Sequence, residues 1–133
     1  VHIPYFPGEN ENFIDADFLK KMKKSAILVN TARGEIADTK AIVEAVKNGE
    51  IAGYAGDVTV DEKDIMGHQF DSVDDIPNAD VRYLAKLYPK VLLTPHMGSF
   101  TEPALEDMIS ISFENFHETF TTGTNKNVLE YEG

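Results

Sequence analysis

The chain contains no cysteine. Disulfides, thiolate nucleophiles and zinc–thiolate centres are therefore excluded. Basic residues are scarce: 12 Lys and Arg stand against 23 Asp and Glu, for a formal net charge of -11. So acidic a chain repels nucleic-acid phosphates and anionic lipid, and its excess acid reads as solubilising charge. No apolar run approaches the roughly 20 residues of a membrane span. The N-terminus has no basic segment followed by an apolar one. The expectation is a soluble, cytoplasmic protein that binds neither nucleic acid nor membrane. Three catalytic signatures are missing as well: a Gly-x-Ser-x-Gly elbow, a phosphate loop ending in Gly-Lys-Ser/Thr, and a His/carboxylate cluster with metal-ligand spacing. No metal site is expected.

What is present suits one globular domain: 133 residues, 42% hydrophobic and 26% charged. Val1-His2-Ile3-Pro4 reads as the end of a strand, stopped by Pro4 and Pro7-Gly8. A start at Val1, in mid-strand, reads as the C-terminal piece of something longer. Asp15 is suited to cap a helix over 16–24, with Phe18, Leu19 and Met22 on one face. Ala26-Ile27-Leu28-Val29 is a continuous apolar run of the kind that a parallel sheet buries on both faces. Asp38 is suited to cap a helix over 39–48, with Gly49 as its left-handed stop. Strands are expected over 51–58 and 91–94, with an irregular acidic insertion over 61–80 and a short helix over 80–87 between them. Thr101 reads as the N-cap of a long helix with Pro103 in its first turn and Gly123 at its end. Its Leu105, Met108, Ile109, Phe113, Phe116 and Phe120 form a stripe read as core or subunit contact. Alternating strands and helices argue for an α/β parallel sheet.

In an open parallel sheet, ligands bind beyond the carboxyl ends of the strands. Arg33 follows the first apolar strand, Glu62 lies five residues beyond Asp57, and His96 directly follows the last strand. An arginine there offers a planar fork for a carboxylate. A histidine can carry a proton near neutral pH. A neighbouring glutamate holds the imidazole oriented and favours its charged form.

Three blocks resemble the signatures of the NAD-dependent D-2-hydroxyacid dehydrogenases, in the same order and spacing. They are Ile27-Leu28-Val29-Asn30-Thr31-Ala32-Arg33-Gly34-Glu35, Gly53-Tyr54-Ala55-Gly56-Asp57-Val58 and Leu93-Thr94-Pro95-His96. Leu19-Lys20-Lys21-Met22-Lys23 is similar to the helix preceding the first block. The insertion and His96-Met97-Gly98-Ser99-Phe100-Thr101 resemble the fermentative D-lactate and D-2-hydroxyisocaproate branch. The resemblance implies an oxidoreductase that uses NADH to reduce a 2-oxo acid, such as pyruvate, to the D-2-hydroxy acid. It implies Arg33 as the clamp on the substrate carboxylate, His96 as the proton donor and Glu62, rather than Asp61, as its partner. It implies cofactor contacts at Ile3, Pro4, Asn10, Thr31, Ala32, Arg33 and Asp57. The fold implied is the second half of a Rossmann-type dinucleotide-binding domain over 1–100, then a C-terminal helix and tail over 101–133 returning toward a substrate domain. The family is usually dimeric. The competing readings are an NAD-sensing corepressor of the same superfamily and a D-2-hydroxyisocaproate or 2-hydroxyglutarate dehydrogenase.

Two departures stand out. No two glycines are spaced Gly-x-Gly, so the family's phosphate-binding turn is not in this chain. Ser99 occupies a position where some D-lactate enzymes carry a large aromatic. The 133-residue piece alone is expected to be inactive.

Overall fold

The computed structural model describes residues 1–128. Residues 129–133, the last part of the expected tail, lie outside the described residues. Two compact units are distinguished, Val1–Met97 and a second beginning at Gly98.

The first unit is built on a three-stranded parallel sheet, in the order β1 (Ile27–Asn30), β2 (Gly53–Gly56), β3 (Val91–Leu93). Register explains which side chains are buried. Leu28 pairs with Tyr54, and Tyr54 with Val91, so these three share one face and form part of the core. Val29, Ala55 and Leu92 line the opposite face, where Val29 and Leu92 are exposed. Burial on both faces, the expectation for the 26–29 run, is thus not met among the described residues. Helices α1 (Ala16–Lys20), α2 (Thr39–Lys47) and α3 (Ala79–Lys86) contribute Leu19, Ile42, Val46 and Leu84 to the same core as Leu28 and Tyr54. Each such aliphatic side chain contributes roughly 1.5–3 kcal/mol on burial.

Local chemistry sets most boundaries. Asp15 accepts from the Phe18 amide and Asp38 from the Ala41 amide, as N-caps. Gly49 and Gly123 both have positive φ just past a helix. Several expected spans are corrected. The first helix ends at Lys20 rather than Lys24. Lys20, Lys21, Lys23 and Lys24 repel at three- and four-residue spacing, and an Ala26 N–H to Lys23 C=O turn redirects the chain into β1. Val1–Pro4 is not a strand: the Val1 carbonyl accepts from the Thr31 amide, but Pro4 has no N–H to continue a ladder. The second strand is four residues, not eight, although Asp57 N–H still donates to Asn30 C=O beyond its end.

The acidic insertion is more ordered than its composition suggests. It forms 3₁₀ turns at Glu62–Asp64 and Val73–Asp75, the second closed by a Ser72/Asp75 capping box. Arg82 Nε donates to the Ile76 carbonyl and Lys86 pairs with Asp74, fastening the insertion to α3. In the second unit, α4 (Glu102–Thr122) carries Pro103 near its start, but the Thr101 side chain makes no capping bond. No residue of α4 is buried, and Phe113, Phe116 and Phe120 are exposed, so its aromatic stripe is not core within the described residues.

Candidate active site

The sheet delivers three segments to one edge, the carboxyl ends of its parallel strands. After β1 the chain enters Thr31-Ala32-Arg33-Gly34. Its anchor is Asn30, whose side chain is fully buried. Asn30 Nδ2 donates to the Arg33 carbonyl at 3.0 Å, and its Oδ1 accepts from the Ala32 amide at 3.1 Å. One buried amide thereby fixes the backbone on both sides of the loop. Gly34 then meets the segment after β2: a Cβ at this position would lie 2.1 Å from the Thr59 carbonyl carbon and 2.4 Å from the Val60 nitrogen. Only glycine allows this approach.

Glu62 closes the link from the other side. Its Oε1 accepts from the Thr59 amide at 3.2 Å, and its Oε2 lies 3.0 Å from His96 Nδ1. A carboxylate can only accept, so Nδ1 carries the proton and the orientation of the ring is set. Both side chains are partly exposed, Glu62 at 28% and His96 at 42%. Asp57 gathers the segment after β3. Its Oδ1 accepts from Thr94 Oγ and, at 2.8 Å, from the Met97 amide. His96 itself has a φ of 52°, in the left-handed region. That backbone conformation is uncommon for a side chain bearing Cβ and is characteristic of constrained functional positions.

Two cavities open beside these segments. A groove of about 490 Å³ is lined by His2, Ile3, Pro4, Tyr5, Thr31, Ala32 and Arg33. A smaller one of about 130 Å³ lies over Thr31, Gly56, Asp57 and Thr94. Thr31 borders both. Tyr5 remains a neutral phenol on the groove wall, its pKa raised by desolvation and by the Glu11 and Glu35 carboxylates. Burial likewise raises that of Tyr54, against an opposing interaction with Asn30.

The structure thus groups Ile3, Pro4, Thr31, Ala32 and Arg33 around one groove, and pairs Glu62 with His96. Arg33 is joined to that pair through the Gly34–Thr59 backbone apposition; its own Nη1 donates to the Ala32 carbonyl at 2.7 Å. Asn10 does not line the groove. Its side chain accepts from the Phe6 amide and donates to the Pro4 carbonyl, bracing the turn that carries Pro4. Sequence reasoning missed Asn30, Gly34 and Thr59 as supports. The available signal was a polar residue closing an apolar strand, with a glycine four positions on.

The family model described as "D-isomer specific 2-hydroxyacid dehydrogenase, NAD binding domain" matches residues 1–98. An aromatic 2-oxoacid reductase of Clostridium sporogenes is 32% identical over 127 residues, 96% of this chain and 38% of that protein. Among solved structures, a D-isomer specific 2-hydroxyacid dehydrogenase from Lactobacillus delbrueckii ssp. bulgaricus, in its NAD complexed form, has a TM-score of 0.83 and 38% identity, covering 97% of this chain and 38% of its own. A D-lactate dehydrogenase from Sporolactobacillus sp. has a TM-score of 0.88 and 32% identity, covering 99% and 39%. The chain spans little more than a third of the length of these relatives.

Proposed function

The chain belongs to the D-isomer specific 2-hydroxyacid dehydrogenases, within their NAD-binding domain, and from that premise we propose that the polypeptide containing it reduces a 2-oxo acid to the D-2-hydroxy acid. Pyruvate is the proposed substrate. Residues 1–100 serve as the second half of the dinucleotide domain, and 101–133 return toward a substrate domain, in a homodimeric cytoplasmic enzyme.

The observation that carries this reading is the Glu62–His96 pair, 3.0 Å apart at the strand ends and tied through Thr59 to the Arg33 loop. A bound NADH would supply the hydride for the keto carbon. The chemistry of the groove fits the nicotinamide end of such a cofactor: apolar Ile3, Pro4 and Ala32 beside the Thr31 hydroxyl, with Asp57 over the adjoining cavity. Arg33 holds the substrate carboxylate in a two-pronged, charge-assisted contact. His96, protonated on both nitrogens, gives the Nε2 proton to the keto oxygen as it gains charge. Glu62 holds Nδ1–H throughout, so the ring neither turns nor loses its second proton. No Gly-x-Gly turn is present in these 133 residues to hold a pyrophosphate, so the isolated chain is expected to be inactive.

The test is reduction of pyruvate with NADH by the complete polypeptide, followed by enantiomer-specific assay of the product. D-lactate formed by the wild type and lost in His96→Gln supports the reading. NADH binding with no turnover of pyruvate or of an aromatic 2-oxo acid would favour the corepressor-like alternative.

A further inference from the structure

Asp61, immediately before Glu62, has a φ of 55° and a ψ of 36°. It is exposed, and although aspartate enters the left-handed region more readily than most side chains bearing a Cβ, that conformation still costs free energy without a restraint. Its conformation nevertheless fixes the direction in which the chain enters the 3₁₀ turn, and hence where Glu62 begins. One contact restrains it from outside the turn: Asn78 Nδ2 donates to Asp61 Oδ2 at 2.8 Å. Asn78 is itself immobilised. Its Oδ1 caps α3, accepting from the Asp80 amide at 3.0 Å and the Val81 amide at 3.1 Å. Both functions of one carboxamide are therefore engaged, one at the helix and one at the turn. Hydrogen bonds run from α3 through Asn78 to Asp61, the backbone then leads directly into Glu62, and Glu62 Oε2 meets His96 Nδ1.

We propose that Asn78, at the end of the acidic insertion, is a positioning residue for the Glu62–His96 pair, acting through the left-handed turn at Asp61. The inference rests on the catalytic reading of that pair. The insertion thereby serves the chemistry, because its last residues return to the site and set the geometry of the carboxylate that orients the histidine.

Asn78→Asp is the discriminating substitution. Aspartate caps a helix about as well as asparagine, so α3 is retained. The donor facing Asp61 becomes a second carboxylate, and attraction turns to repulsion. In the complete polypeptide, kcat for pyruvate should fall about fivefold to tenfold, the loss of one hydrogen bond, with KM changed less than twofold. The His96 ring Nδ1–H, followed by long-range ¹H–¹⁵N NMR, should lose protection from exchange. The swapped double variant, Asn78→Asp with Asp61→Asn, restores a donor and an acceptor in exchanged places and should recover both readouts. Asn78→Ser, which keeps a capping oxygen but removes the amide donor, should reproduce the single-variant loss. An unchanged His96 signal in both single variants overturns the proposal. So does a loss that the swap fails to rescue, because the effect would then come from the helix cap alone. If the wild type turns over no 2-oxo acid yet the His96 signal is lost and rescued as described, the positioning role stands and the dehydrogenase reading fails.

Discussion

The arginine side and the histidine side of the strand-end surface are held by different kinds of bond. Around Arg33, the restraint is backbone and burial. Asn30 is fully buried and clamps the loop at Ala32 and Arg33, while Gly34 lies against the Thr59 backbone with no room for a Cβ. Around His96, the restraint is side-chain oxygen at partly exposed positions, Glu62 on the imidazole and Asp57 on Thr94 and Met97. The arginine loop is part of the fold, so its supports cannot change without cost to stability. The histidine pair is mounted on the fold, so its supports can change at a cost mainly to chemistry.

Substitutions can break this division. Gly34→Ala should have the largest effect, because the new methyl meets Thr59 and Val60 backbone rather than a movable side chain. A loss of about 3 kcal/mol or more is expected in chemical denaturation. A variant of wild-type stability would show that the two loops are not closely apposed. Asn30→Leu fills the space but leaves the Ala32 N–H and Arg33 C=O without their partner. About 2–3 kcal/mol should be lost, read the same way. Arg33→Lys probes the tip of that loop rather than its supports. Folding stability should stay within about 0.5 kcal/mol, while kcat/KM for pyruvate falls by about 2–3 kcal/mol of transition-state stabilisation with little change in NADH affinity.

Part of the candidate site was legible from residue order. Arg33 and His96 each follow an apolar strand, and a parallel sheet places such positions at one edge, whereas the choice of Glu62 over Asp61 rested on the family resemblance. The caps at Asp15 and Asp38 and the stops at Gly49 and Gly123 were legible because their chemistry is local. The supports were not. The tie between Gly34 and Thr59 joins residues far apart in sequence, and no periodicity announces it. Exposure of Val29 and Leu92 was equally hidden, because an apolar run does not say which of its faces the same chain covers. The stripe on α4 met the same limit: Phe113, Phe116 and Phe120 share a spacing that specifies a face but not its cover.

The ion pair between the insertion and α3 offers the comparison with the smallest expected effect. Asp74 has its pKa lowered by its hydrogen bond to Lys86 and by that lysine's charge. A carboxyl whose pKa is lowered on folding adds stability above its unfolded value, and loses it as pH falls through the folded one. The wild type should therefore exceed Lys86→Met by a small margin at neutral pH. That margin should begin to shrink at about pH 4 and vanish as pH falls further, in urea denaturation at a series of pH values.

The most direct test is Glu62→Gln in the complete polypeptide, with catalytic efficiency and unfolding measured on the same preparation. Glutamine keeps the size of the side chain and an oxygen for the Thr59 amide, but removes the charge beside His96. The account predicts about a tenfold or greater loss in kcat/KM for pyruvate, with unfolding free energy changed by no more than about 0.5 kcal/mol. Unchanged efficiency, or a stability loss as large as that of Asn30→Leu, would contradict it.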